Sequence, residues 1–282
     1  DNVHRQGAGM LDVVGAVTST TSVEPSKIAA GEGQAGPFAQ LLTIENKGSA
    51  PVTYNLSSVN AQSTGANTFT PSFSTSDASV AFSAASVVVP ANGAATFTAT
   101  INPATAPVGG QYGGYIVLTD ASDAAKALRV PFAGYIGDYQ ARSALANATG
   151  FPFLGKLNTC TILRGDECAL GGAYSVFPGG NTYTMVDAFN IPVLLVHLDH
   201  QVRRLRVEVF NATSGASLGR ILNDEYVGRN STATSFFAYP WDGTTFRGNG
   251  RNANQWSTLP NDSYVARLSV LKALGDDDNP AH

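Results

Sequence analysis

The chain has 282 residues, of which 17 are basic and 21 acidic, giving a formal net charge of -4. This length predicts two domains, and the mild charge, with no stripe of Lys and Arg, argues against a nucleic-acid partner. No stretch reaches the roughly 18 apolar residues that a membrane-spanning helix needs. The densest apolar run, Ile191 to Leu198, has the length of a strand.

Beyond residue 20, short runs of Val, Ile, Thr, Tyr and Phe recur between clusters of Gly, Pro, Asn and Ser, a pattern typical of antiparallel sheets. In the first half of the chain these runs occupy residues 41–45, 52–56, 80–82, 87–89, 95–101, 115–119 and 128–132. So many short strands within about a hundred residues indicate a β-sandwich with immunoglobulin-like packing. Because no Cys-Trp-Cys signature is present, a fibronectin-type sandwich is favoured.

A second set of strand-like runs lies beyond Tyr139, at residues 193–198, 205–210, 236–239 and 264–271. Residues 192–198 and 202–210 are predicted to pair as a β-hairpin, connected by the polar residues 199–201. We therefore expect an all-β chain with two β-rich domains in series.

Two cysteines, Cys160 and Cys168, enclose a short polar segment. Their spacing is not that of a Cys-x-x-Cys redox motif, and no second pair completes a zinc site. A small-loop disulfide between them is therefore predicted.

Sequons for N-glycosylation occur at Asn55, Asn147, Asn211, Asn230 and Asn261. Asn55 lies in a strand pattern of alternating residues that turns its side chain to solvent. Asn211 and Asn261 fall in turn-like segments. These placements favour a glycosylated protein that is secreted and extracellular, although some sequons arise by chance in a chain rich in Asn, Ser and Thr.

Residues 5–17 read Arg-Gln-Gly-Ala-Gly-Met-Leu-Asp-Val-Val-Gly-Ala-Val. This segment resembles the closing motif of the catalytic domain of subtilisin-like serine proteases, where a Gln-Gly-Ala-Gly turn leads into a last short helix. The segments that follow resemble the fibronectin type III-like domain of large extracellular subtilases, and they lie at residues 44–56, 89–97, 113–119 and 130–140.

Further along, residues 241–243 and 259–270 resemble the immunoglobulin-like C-terminal module of these proteases, a module type also found in flagellar hook-capping proteins. The resemblance implies that residues 1–19 are the tail of a lost subtilase catalytic domain. It implies a fibronectin type III-like β-sandwich over residues 20–138 and an immunoglobulin-like β-rich domain over residues 139–282. The expected fold class is thus two β-sandwich domains in series.

A subtilase needs a Ser nucleophile in a Gly-Thr-Ser-Met-Ala context, together with a His and an Asp. No Gly-Thr-Ser occurs here, and the resemblance begins downstream of the nucleophile. We expect no catalytic residue, no cofactor and no metal in this chain, which is therefore not an enzyme by itself.

Three polar clusters are candidate sites, and in each the structural interpretation is favoured. His197 and Asp199 could share a strand face as a metal or acid–base pair, but polar residues at a hairpin end need no chemistry. The run Asp276-Asp277-Asp278 is interpreted as a solvated tail rather than a calcium site. The arginines of residues 203–206 are interpreted as the solvated edge of a strand.

The resemblance implies a non-catalytic accessory region that positions substrate, attaches to wall or matrix polymers, or stabilises the catalytic domain of the same precursor. The alternative is a stand-alone, lectin-like carbohydrate-binding protein, since Asp1 is an unusual first residue that proteolysis, or cloning, would leave. Its glycan site would comprise Trp241, Asp242, Asn254 and Trp256. The competing interpretation is that Trp241 anchors a turn and Trp256 caps the sandwich.

Overall fold

The computed structural model describes residues 1–145, 150–248 and 255–279. The chain divides into two compact units, residues 1–141 and residues 142–282. Strands account for 49% of the residues and helices for 5%, which confirms the predicted all-β fold with β-sandwich domains in series.

The first unit begins with two short helices, α1 (Val3–Gln6) and α2 (Val13–Thr18). Its strands are β1 (Thr21–Glu24), β2 (Ile28–Glu32), β3 (Phe38–Asn46), β4 (Val52–Asn60), β5 (Gln62–Thr64), β6 (Phe73–Thr75), β7 (Ser79–Phe82), β8 (Ser86–Val89), β9 (Gly93–Asn102), β10 (Gln111–Asp120) and β11 (Ala127–Tyr135).

Two sheets form the sandwich of the first unit, with strand orders β1-β3-β9-β7 and β2-β11-β10-β4-β8. β2 joins β11 in parallel, whereas the other pairings in both sheets are antiparallel. Alternation along β9 sends Phe97, Ala99 and Ile101 into the core, where they meet side chains of the opposite sheet such as Ile116 and Phe132.

The second unit is also built from two main sheets. Its strands are β12 (Phe153–Thr159), β13 (Ile162–Arg164), β14 (Glu167–Leu170), β15 (Ala173–Val176), β16 (Val193–Val196), β17 (Val202–Asn211), β18 (Ser217–Val227), β19 (Phe237–Pro240), β20 (Thr244–Phe246), β21 (Trp256–Thr258) and β22 (Tyr264–Lys272). The strand orders are β15-β12-β16-β19 and β21-β20-β18-β17-β22, and β13 pairs with β14 as a separate two-stranded ribbon.

The predicted hairpin between residues 192–198 and 202–210 is wrong. β16 and β17 belong to different sheets of the second unit, so residues 197–201 cross from one sheet to the other. The physical reason is the core between the two sheets. One cluster of this core contains residues that precede the crossing and residues that follow it, namely Val196, Leu198, Val202 and Leu205. The chain can contribute to this core from both sheets only by crossing between them. Among the described residues, no helix is long and apolar enough to cross a bilayer.

Candidate functional site

The segment from Asn2 to Gly7 is docked on the outer face of the sheet that contains β10. Gln6 Nε2 donates to the Tyr115 hydroxyl at 2.6 Å, and that hydroxyl donates to the Gly7 carbonyl at 3.0 Å. Val3 is buried beside Tyr115 and Val117 in a small apolar cluster. The docked segment is therefore an integral part of the first unit.

The next segment, residues 10–17, exposes its apolar side chains. Met10, Leu11, Val13, Val14 and Val17 have between 59% and 99% of their surface exposed. The Asp12 carboxylate caps the N-terminus of α2 by accepting a hydrogen bond from the Gly15 amide at 2.9 Å. The capped helix nevertheless has no buried residue. A helix with an apolar surface that no described residue covers is typical of an interaction site. We call residues 10–17 the apolar segment.

The predicted disulfide between Cys160 and Cys168 is confirmed, with their Cα atoms 5.7 Å apart. It closes the base of the ribbon formed by β13 and β14.

The sequons differ in their access to solvent. Asn55 and Asn261 are exposed, so a glycan fits at either position. Asn211 is half-buried, and its Nδ2 donates to Asp262 at 2.8 Å. Asn147 lies outside the described residues.

Asn230 requires a correction to the list of glycosylation candidates. Its side chain is only 3% exposed, and its Oδ1 accepts from the Leu198 amide at 2.7 Å. A glycan on Nδ2 would have to occupy the protein interior, so the folded chain does not accommodate one at this position.

The described residues suggested for glycan binding differ in their surroundings. Trp241 Nε1 donates to the Thr244 carbonyl at 2.7 Å, and Asp242 Oδ1 accepts from the Thr244 amide at 2.9 Å, so both residues hold the turn before β20. Trp256 is different, since it is 53% exposed and rests edge-on against Phe246 at a centroid distance of 4.8 Å. Asn254 lies outside the described residues. Trp256 is thus the member of the set with an open aromatic surface.

His197 is fully buried and belongs to a structural network. Its Nδ1 lies 2.5 Å from the Ser235 carbonyl oxygen, and its Nε2 lies 2.9 Å from Asp199 Oδ1. The Phe151 ring packs 6.2 Å from the imidazole. Over the described part of the chain, no group of three or more His, Cys, Asp or Glu residues is arranged to hold a metal ion.

His200 is held as a neutral acceptor. Partial burial, together with the positive charges of Arg142 and Arg229, lowers the pKa of His200, while Asp199 acts in the opposite direction. Arg142 Nε donates to His200 Nε2 at 3.1 Å, a hydrogen bond that requires an unprotonated Nε2. These groups hold the chain where it changes sheets.

The acidic run near the end of the chain, Asp276 to Asp278, is exposed, and Asp277 is also anchored by an arginine. Arg204 Nη1 donates to Asp277 Oδ2 at 2.7 Å, and Arg204 Nη2 donates to the other carboxylate oxygen. These hydrogen bonds lower the pKa of the Asp277 carboxyl. β17, which carries Arg204, is an interior strand between β18 and β22, and Arg203 on the same strand is exposed.

Comparison with known proteins identifies part of the first unit. Residues 33–133 match the family model of the Fn3-like domain. The predicted fibronectin type III-like region is thereby confirmed, at this level of description. No curated protein sequence matches the chain.

The solved structures to which this chain shows similarity include the following three. They are the PapD-like domain 7 of human CEP192 (17% identity, 42% of this chain and 87% of that chain covered, TM-score 0.33), the CsuC–CsuE chaperone–tip subunit complex of Acinetobacter baumannii (14%, 79% and 90%, 0.29) and the CupB2 chaperone of Pseudomonas aeruginosa (10%, 89% and 100%, 0.28).

Docking of the N-terminal segment on the Fn3-like domain is the feature that sequence reasoning missed. Gly113 makes this docking possible, because a Cβ atom there would lie 3.0 Å from Val3 Cβ and 2.8 Å from the Phe132 carbonyl oxygen. A glycine inside a strand often marks a close approach of another part of the chain. The Gly113-Gly114 pair was the available signal.

Proposed function

We propose that the chain is a non-catalytic C-terminal accessory region of a secreted subtilisin-like serine protease, and that it supports the catalytic domain of the same precursor. The observation that carries this proposal is that the two parts of the segment resembling the subtilase closing motif have different surroundings. Its first part is packed on the Fn3-like domain, whereas its second part, the apolar segment, is uncovered.

The free energy gained by burying apolar side chains supports a partner that covers the apolar segment. Burying a Val, Leu or Met side chain stabilises a complex by about 1.5–3 kcal/mol, and the apolar segment presents five such side chains. The docked residues before it are fixed to the domain by the hydrogen bonds of Tyr115. A catalytic domain that covers the apolar segment would therefore be held firmly against the accessory region, which suits a stabilising or substrate-positioning role.

A serine-directed fluorophosphonate probe tests this proposal. In material from the native source, an antibody against residues 142–282 should detect a longer polypeptide that also carries the fluorophosphonate label. The purified 282-residue chain should neither take up the label nor cleave casein, because it offers no Gly-Thr-Ser nucleophile.

Prior treatment with phenylmethylsulfonyl fluoride is the control, and it should abolish labelling of the longer species. Labelling of the 282-residue chain itself would contradict the non-enzyme proposal. A native antigen that never carries the label would contradict the link to a protease.

Carbohydrate binding is the second candidate, and the exposed Trp256 indole favours it. A sugar ring can stack on this indole as a base stacks on an aromatic ring, so Trp256→Ala should weaken binding by about 1–3 kcal/mol. A glycan array followed by calorimetric titration measures this loss. Tyr226→Ala, at an 80% exposed aromatic residue, is the matched control and should leave affinity unchanged. An array without signal, or equal affinity after Trp256→Ala, would exclude this site.

A further inference from the structure

The ribbon formed by β13 and β14 extends beyond the sheet that carries it. β12 and β15 pair as far as Thr159 and Ala173, and the chain between them continues outward as this two-stranded ribbon. The disulfide closes its base, supported by a hydrogen bond from the Thr161 amide to the Leu170 carbonyl at 2.9 Å. We call residues 160–170 the ribbon.

The tip of the ribbon is a tight turn with a defined backbone. Arg164 pairs with Glu167, which leaves Gly165 and Asp166 as the two central residues. Gly165 has φ of 61°, and Asp166 is not among the residues with positive φ. A positive φ at the first central residue alone is the pattern of a type II′ turn, in which glycine is preferred at that position.

The tip presents two opposite charges, carried by Arg164 and Asp166. Arg164 and Asp166 are both exposed, and neither forms an ion pair or side-chain hydrogen bond with any residue that the structure describes. Two other charged pairs of this unit are satisfied internally, Arg204 with Asp277 and Arg267 with Glu208. The charges at the tip are therefore available to another molecule.

The ribbon also offers apolar contacts next to these charges. Ile162 and Leu163, immediately before Arg164, are exposed on β13. A small apolar surface beside a charged tip is a common composition for a protein-recognition site, in which apolar contact adds affinity and charge gives specificity.

We propose that Arg164-Gly165-Asp166 is a recognition element for a protein receptor that combines a divalent cation with an acidic pocket. The Asp166 carboxylate would complete the oxygen shell of the cation, since hard divalent ions prefer carboxylate ligands. The Arg164 guanidinium would form paired hydrogen bonds with carboxylates of the pocket. Gly165, which has no side chain, lets the receptor surface approach between the two charges.

The disulfide-closed ribbon gives this element its affinity. Residues that are already fixed in a turn lose less conformational entropy on binding than the same tripeptide in a flexible loop. The element lies in the second unit and does not depend on the proposed link to a protease. It would attach the chain, alone or as part of a larger protein, to a surface that bears the receptor.

The probe for the test is a purified integrin ectodomain that binds Arg-Gly-Asp peptides, applied to the immobilised full chain in Mn²⁺. Binding should appear in biolayer interferometry and should be abolished by EDTA and by a soluble Arg-Gly-Asp peptide. Asp166→Glu keeps the charge but displaces the carboxylate by one methylene, so affinity should fall by at least about 30-fold. Glu167→Gln, the adjacent control outside the tripeptide, should change affinity by less than about 3-fold.

A second variant tests the role of the disulfide. Cys160→Ser with Cys168→Ser should weaken binding by about 10-fold, because the opened ribbon must be ordered on binding. Circular dichroism confirms that this variant keeps its β fold. No binding of the wild-type chain in Mn²⁺, binding that resists EDTA, or equal affinity of the Asp166→Glu variant would overturn the proposal.

Discussion

Replacement of Gly134 by Ala is expected to lower the free energy of unfolding of the first unit by about 2–3 kcal/mol, near the upper end of typical overpacking costs. Gly134 on β11 lies directly opposite Tyr112 on β10. A Cβ atom at Gly134 would lie 2.5 Å from atoms of the Tyr112 ring, which is itself buried in the core. The ring cannot move away without displacing its neighbours, so the added methyl group must strain the sheet.

A double-mutant cycle isolates this clash. In a Tyr112→Leu background the smaller side chain leaves room for a Cβ atom, so Gly134→Ala should cost less than about 1 kcal/mol there. Gly228→Ala, where no atom lies within 4 Å of the added Cβ, is the control for the substitution itself. Scanning calorimetry of the four chains and the control measures the effect. An unchanged unfolding temperature for the Gly134→Ala single variant would contradict the packing of the Tyr112 ring over Gly134.

The same packing occurs in reverse two residue pairs away along β10 and β11, and it explains part of the sequence pattern. Gly114 faces Phe132, whose ring lies 2.6 Å from where a Gly114 Cβ would be. Gly114 and Gly134 are thus each complementary to a large ring on the neighbouring strand. The sequence predicted strands at both places, but the ring–glycine pairs depend on a register that local pattern does not determine.

Local alternation was sufficient to predict some of the strands that bury one face, but it did not predict others such as β18. In β4, Tyr54 is buried and Asn55 is exposed, as the period-2 pattern predicts. Alternation was misleading at β16, because Val196 faces one core cluster and Leu195 another, so that both faces of this strand are buried. A strand buried on both sides has no solvent face that would identify its partners.

Features that depend on distant residues were not predictable. Asn230 is buried because it caps the Leu198 amide, which lies 32 positions earlier in the chain. Asp277 is anchored by Arg204, 73 positions away. Local composition carries no information about hydrogen bonds between residues so far apart in the chain.

Replacement of His197 by Ala is expected to destabilise the second unit by about 3–5 kcal/mol, since a cavity and an unpaired carbonyl would arise together. The imidazole is fully buried among Phe151 and the chain around Ser235. Its removal leaves the Ser235 carbonyl oxygen without the hydrogen bond that His197 Nδ1 provides. Asp199 would also lose the ring nitrogen 2.9 Å from its carboxylate.

Urea unfolding followed by tryptophan fluorescence measures this effect specifically, because Trp241 and Trp256 both lie in the second unit. Asp199→Asn is the matched control: its side-chain amide, which has both a donor and an acceptor, can still hydrogen-bond to His197 Nε2, and the buried ring stays in place, so it should cost less than about 1.5 kcal/mol. His4→Ala, at an exposed side chain of the first unit, should leave the fluorescence transition unchanged. If His197→Ala lowered the free energy of unfolding no more than Asp199→Asn does, the imidazole would not be a structural element. Its burial beside a carboxylate would then require a chemical role.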